Sequence, residues 1–173
     1  MERRGAAARG AVAAVAGTLA MDLLWYSRYR RDGGDDRFLD WELSAATTGF
    51  GDAGSPAQVG RRIVKDLFHV RLPDEAAALT NNVVHWATAV QWGALYGLAT
   101  RSSSSSPLRG AALGTVAWST SYVVLPLAKI YRPIWEYDAK TLAKDHSAHL
   151  VFGVVTAAAY RALSRQGSSS SSS

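Results

Sequence analysis

Asn81 and His85 stand four residues apart, on a helical face that Thr88 and Trp92 continue. Asp138, Asp145 and His149 share a second face, by steps of seven and four. A carboxylate one turn from an imidazole orients the ring and holds its proton, as a proton relay or an acid–base pair requires. Asp22, Asn82, Tyr122, Lys129, Glu136 and His146 complete the polar side chains that fall in or beside otherwise apolar sequence. His85, His146 and His149 with a carboxylate have the ligand types of a metal site, but their spacing forms no compact ligand motif. A bis-histidine haem is disfavoured in the same way, since no haem attachment signature accompanies the histidines. The expectation is no metal, no cofactor and no catalytic residue. The chain contains no cysteine, which removes thiolate chemistry and disulfides altogether.

These residues need helices to position them, and the distribution of charge shows where the helices run. Of the 173 residues 48% are apolar, and the charges are segregated. Ala76 to Thr100 and Gly110 to Ala128 contain no Lys, Arg, Asp or Glu. Gly10 to Ser27 is broken only by Asp22, and His146 to Tyr160 is uncharged. A bilayer core of about 30 Å takes roughly 20 apolar helical residues. The expected architecture is therefore all-α: an integral membrane four-helix up-down bundle, forming one domain over 1–166. Its spans lie at about 8–27, 79–100, 109–131 and 146–163. A soluble helix would show a charged face, and the second and third stretches have none. Aromatic residues gather near the proposed ends, Trp25, Tyr26 and Tyr29 and then Tyr131, Trp135 and Tyr137, as in an interfacial belt. A basic start followed by an apolar run also fits a signal peptide, but no clean small-residue cleavage site follows, so a retained helix is expected.

Between the spans the sequence predicts a polar loop over 28–54 and a short amphipathic helix over 56–70. Ser55 should cap that helix before Pro56, and Pro73 should end it. Val59, Ile63, Leu67 and Val70 share one face, opposite Arg61, Arg62, Lys65, Asp66 and His69, a pattern suited to lying on headgroups. The 101–109 link is short, so spans two and three should form an antiparallel hairpin. Pro126 should kink the third span. The serine tail, 167–173, is low in complexity and expected to be disordered.

Small residues recur at spacing four: Ala13 and Gly17; Ala89, Gly93 and Gly97; Gly110 and Gly114; Gly153 and Ala157. In lipid such positions permit close backbone approach, within the bundle or between copies in a homo-oligomer. Basic residues are scattered over the span flanks, which argues against nucleic acid as a partner. The tails and the short link carry seven Arg against one acid, whereas the two long loops carry twelve of each sign. Short flanking segments weigh most in setting orientation, which places both termini in the cytoplasm.

Alternating direction brings the end of span one, the start of two, the end of three and the start of four to one side. Asp22, Asn81, Asn82, His85, Tyr122, Glu136, Asp138, Asp145 and His149 all belong to that side. Ionisable groups in a membrane normally face a bundle interior or a water-filled cavity. A polar pocket opening toward the long loops is the expectation.

Five blocks, Asn81-Asn-Val-Val-His-Trp86, Trp92-Gly-x-x-Tyr-Gly97, Tyr122-Val-Val-Leu-Pro126, Arg132-Pro-Ile-Trp-Glu-Tyr-Asp138 and Lys144-Asp-x-Ser-x-His-Leu150, resemble those of small actinobacterial four-helix membrane proteins. More distantly they are similar to the YagU-type family of bacterial inner-membrane proteins. The resemblance covers about 8–163 and is strongest over 78–155, while the loop 28–54 departs from the pattern. It implies an integral inner-membrane protein with no established activity, substrate or cofactor, and for the YagU type a link to acid resistance. The expected role is non-enzymatic, structural or stress-related, with proton or solute translocation as the first alternative and a membrane-embedded metal or haem site as the less favoured one.

Overall fold

The computed structural model describes residues 3–100 and 105–169, and these contain helices and no strand. The elements are α1 (Arg3–Arg31), α2 (Phe38–Glu42), α3 (Ser55–Phe68), α4 (Ala77–Ala99), α5 (Pro107–Leu127) and α6 (Ala139–Ser169). Single 3-10 turns at Asp74–Ala76 and Ile134–Glu136 lead into α4 and α6.

Four long helices run alternately up and down. Pairing across the seams fixes their order in space. Gly10 of α1 faces Gly93 and Gly97 of α4, Gly17 of α1 faces Phe152 and Thr156 of α6, and Gly110 and Gly114 of α5 face Gly153 and His149 of α6. The order is α4–α1–α6–α5, held by three antiparallel seams. A β-carbon at any of these glycines would meet backbone of the facing helix, so the small residues set the interaxial distance. The expected hairpin of spans two and three is corrected here: α4 and α5 are joined by a short link but barely touch. Their small residues point at α1 and α6 instead.

The inward faces are built from Ala13, Ala14, Met21, Ala89, Tyr96, Leu113, Ala148, Phe152, Ala157 and Tyr160. Bulkier residues point out: Val12, Val15, Leu19 and Leu23 recur along the exposed side of α1, and Leu79, Val83, Val90, Leu95 and Leu98 along that of α4. Val116, Val123, Val124 and Leu127 do the same on α5.

By length and composition α1 and α5 are apolar enough to cross a membrane, a test that a buried core helix or a signal sequence also meets. α4 and α6, also expected as spans, fall below that measure. Asn81, Asn82, His85 and Gln91 dilute α4, and Lys140, Lys144, Asp145 and Arg161 dilute α6.

Other boundaries move for local reasons. α5 stops at Leu127, and Lys129 takes a left-handed φ of 55°. The Lys129 and Ile130 amides then bond back to the Pro126 and Leu125 carbonyls, the pattern of a C-terminal cap. Pro126 thus lies in the last turn and helps end the helix, where a kink was expected. Gly54, not Ser55, is the N-cap of α3, and the Ser55 hydroxyl lies 3.2 Å from that of Tyr131. α3 ends at Phe68 on a left-handed His69, before Pro73 is reached. The loop 28–54 is in part helical: α1 runs on to Arg31 and α2 lies within it. Gly167 to Ser169 continue α6, and the rest of the serine tail lies outside the described residues.

Candidate functional site

The α1–α4 seam brings Asp22 to His85. The carboxylate is buried, and both its oxygens lie 3.2 Å from the imidazole Nε2. α2 adds a third member that the sequence reading missed, Glu42. Tyr26 of α1 packs on Phe38 and Trp41, with centroids 5.2 and 5.5 Å away, and this aromatic cluster docks α2 one turn beyond Asp22. Glu42 thereby comes to lie beside Asp22, His85 and Trp86, and its Oε1 is buried without a hydrogen-bond partner. Burial pushes the Glu42 carboxyl above its usual range; the Asp22 charge adds to this and His85 opposes it. The signal that could have found Glu42 is the aromatic spacing Phe38–Trp41 opposite Tyr26 and Tyr29, which marks a segment folded back on α1.

A second group occupies the α5–α6 seam. His149 Nδ1 lies 3.0 Å from the Asp145 carbonyl oxygen and 3.4 Å from its carboxylate. Asp145 faces the Tyr122 hydroxyl, and the Tyr122 ring packs among Trp118, Tyr131 and Tyr137. His146 Nε2 sits 3.0 Å from the Thr115 hydroxyl and against the Trp118 ring. No hydrogen bond or ion pair joins the two groups among the described residues.

The remaining expected members serve elsewhere. The Asn81 amide donates to the Ser44 hydroxyl and the Asn82 amide to the Leu43 carbonyl, fastening the segment after α2 to α4. Asp138 is exposed and caps α6, accepting from the Thr141 amide at 2.9 Å and the Thr141 hydroxyl at 2.6 Å. Those bonds hold its carboxyl below the usual carboxylate range. Glu136 is exposed on the 3-10 turn before α6, and Lys129 is exposed past the end of α5. Glu136 and Asp138 are therefore corrected: both lie on the loop surface, outside the two seams.

The single pocket is corrected in kind. Asp22, His85 and Glu42 share one seam and Tyr122, Asp145 and His149 another, at the same end of the bundle but as two stapled contacts. Two clefts lie elsewhere, one between α4 and α5 around Trp92 and Leu113, the other where Arg62 of α3 meets Ile130. Arg28, also missed, clamps α1 to α6 by donating to the Lys144 carbonyl at 2.7 Å and the Ser147 hydroxyl at 2.8 Å. Arg62 does the same for α3, donating to the Ala128 carbonyl at the end of α5 at 2.6 Å. Among the described residues no three His, Asp or Glu side chains are placed to hold a metal ion.

No family model, no curated protein and no solved structure matches this chain.

Proposed function

We propose that this chain is a four-span integral protein of the bacterial inner membrane, of the small actinobacterial type and distantly YagU-like. Its role in this reading is structural or stress-related, without catalysis. The observation that carries the reading is the distribution of side-chain size. Gly and Ala fill the seams, and the large aliphatic residues of α1, α4 and α5 face outward at helical spacing. In water, continuous stripes of exposed Val and Leu would drive aggregation. In lipid, outward bulk and inward small residues are the arrangement that lets helices pack. α4 has 23 residues and α6 has 31, long enough to cross beside α1 and α5, and His85 and His149 are turned toward partners within the chain. α3 also supports a lipid surface. It packs on α4 through Gly60, against Thr80 and Val84, and leaves Ile63, Leu67 and Phe68 exposed beside Arg61, Arg62 and Lys65.

Alkaline carbonate washing of membranes from expressing cells tests the reading. The chain should stay with the pellet, and its release into the supernatant would overturn the proposal.

The Asp22–His85–Glu42 series favours a second reading, a proton relay, because an unpartnered carboxylate oxygen adjoins a buried carboxylate–imidazole pair. His85→Ala separates the two. A structural staple predicts a lower melting temperature in detergent. A relay predicts unchanged melting with loss of proton flux in liposomes.

A further inference from the structure

We propose that the cleft between α4 and α5 seats an anionic phospholipid, one acyl chain lying along the cleft and the phosphate held at the Arg109 end. The inference rests on the membrane reading above and adds a ligand to it.

The cleft exists because the bundle is not closed. Three seams are sealed by small residues, whereas α4 and α5 barely touch. The gap has a volume of about 330 Å³ and an apolar wall that includes Trp92, Leu95, Ala112 and Val116. Between helices in a bilayer such a gap has no water to fill it, and an acyl chain is the apolar occupant at hand. A second copy of the chain fits less well. Tight association in lipid calls for small residues, and the glycines of α4 and α5 already face α1 and α6.

Charge chooses the headgroup. Arg109 lines one end of the cleft, at the start of α5. The same end of the bundle gathers Arg3, Arg4 and Arg9 from α1 and Arg161 and Arg165 from α6. This placement follows from Gly97 facing Ala6 and from the Tyr160 hydroxyl donating to the Gly97 and Thr100 carbonyls. The parts of the four helices at this end carry no acid among the described residues. Arg9 Nε is buried there without a hydrogen-bond partner. A basic cluster beside an apolar interhelical cleft recognises an anionic headgroup, and Arg pairs with phosphate in a bidentate manner. The opposite end mixes both signs and offers no such preference.

The test uses the full chain purified in mild detergent, by native mass spectrometry and by thermal melting. Phosphatidylglycerol and phosphatidylcholine of identical acyl chains are compared with inorganic phosphate. Phosphatidylglycerol should remain bound at one per chain and raise the melting temperature, and the other two should do neither. Ala112→Trp fills the cleft from an exposed position and should abolish retention. Arg109→Gln should weaken it roughly fivefold, the worth of one surface Arg near anionic lipid. Equal retention of both lipids, stabilisation by inorganic phosphate alone, undiminished retention by Ala112→Trp, or a lipid-free dimer that Ala112→Trp disrupts would each overturn the proposal. Carbonate extraction from membranes would remove the membrane reading and this site with it. A chain that stays in the membrane but shows no preference for phosphatidylglycerol removes this site alone.

Discussion

Gly10 and Gly93 face one another across the α1–α4 seam with no room for a β-carbon on either. Each would drive an added methyl into the other's carbonyl, and backbone cannot swing aside as a side chain does. Gly10→Val and Gly93→Val should each destabilise the bundle by about 3 kcal/mol, the upper end for overpacking. Leu19→Ala, on the exposed face of the same helix, should change stability by less than about 0.5 kcal/mol. Thermal melting in one detergent reads both, and a cost for Leu19→Ala matching that of the glycine variants would show that the seam does not set the packing.

Among the described residues, Asp22 and His85 form the one polar contact between the long helices whose carboxylate is buried. Asp22→Ala, His85→Ala and the double variant define a cycle. Polar pairs between membrane helices couple by about 0.6 kcal/mol on average and about 1.7 at most. A coupling of about 1 kcal/mol is expected here, and single variants whose costs simply add would deny the contact.

Asp138 anchors the start of α6 by taking both the amide and the hydroxyl of Thr141. Asp138→Ala should fray the first turn, seen as faster hydrogen exchange at residues 139–143, and Asp138→Asn or Asp138→Ser should restore protection. Because its folded-state pKa is lowered, its stabilisation is present above the unfolded-state carboxylate pKa and fades as pH falls through the folded-state value. The protection factor of the first turn, the exchange rate divided into its intrinsic value at the same pH, should accordingly fall in acid for the native chain and stay flat for Asp138→Asn.

The helices were legible because charge gaps and small residues at spacing four are local properties of the chain. Gly17, Gly93, Gly110 and Gly153 fall on the seams that such spacing announces. What the spacing does not reveal is which helix each stripe addresses. Gly93 points at α1 and Gly110 at α6, so the α4–α5 hairpin implied by a short link never closes. Asp22, His85, Asp145 and His149 were visible as polar intruders in apolar sequence, and they meet in two pairs where one pocket was expected. Glu42 and Arg28 were hidden because each stands among other charges. Only the folding back of α2 on Tyr26, and the crossing of α1 over Lys144, single them out. Asp138 carried a local signal, an Asp three residues before Thr141 at a helix start, which marks a cap more readily than a pocket wall.

Glu42 gives the pH dependence its sign. Burial and the Asp22 charge raise its folded-state pKa above the unfolded-state value, so the folded chain holds this proton more firmly. Between the two values stability must fall as pH rises, and above the folded-state value the full penalty of an ionised, half-buried carboxylate remains. Glu42→Gln keeps the shape and removes the titration. It should melt at a higher temperature than the native chain at pH 8, and the two should converge as pH drops below the usual carboxylate range. Asp22 and His85 also face this carboxyl, so the comparison belongs in a His85→Gln background as well. There the benefit of Glu42→Gln should grow, because the imidazole that partly offsets the repulsion from Asp22 is gone. Melting curves of these variants across pH 4–8 decide the matter, and a native chain that gains stability from pH 5 to pH 8 relative to Glu42→Gln would reverse the assignment.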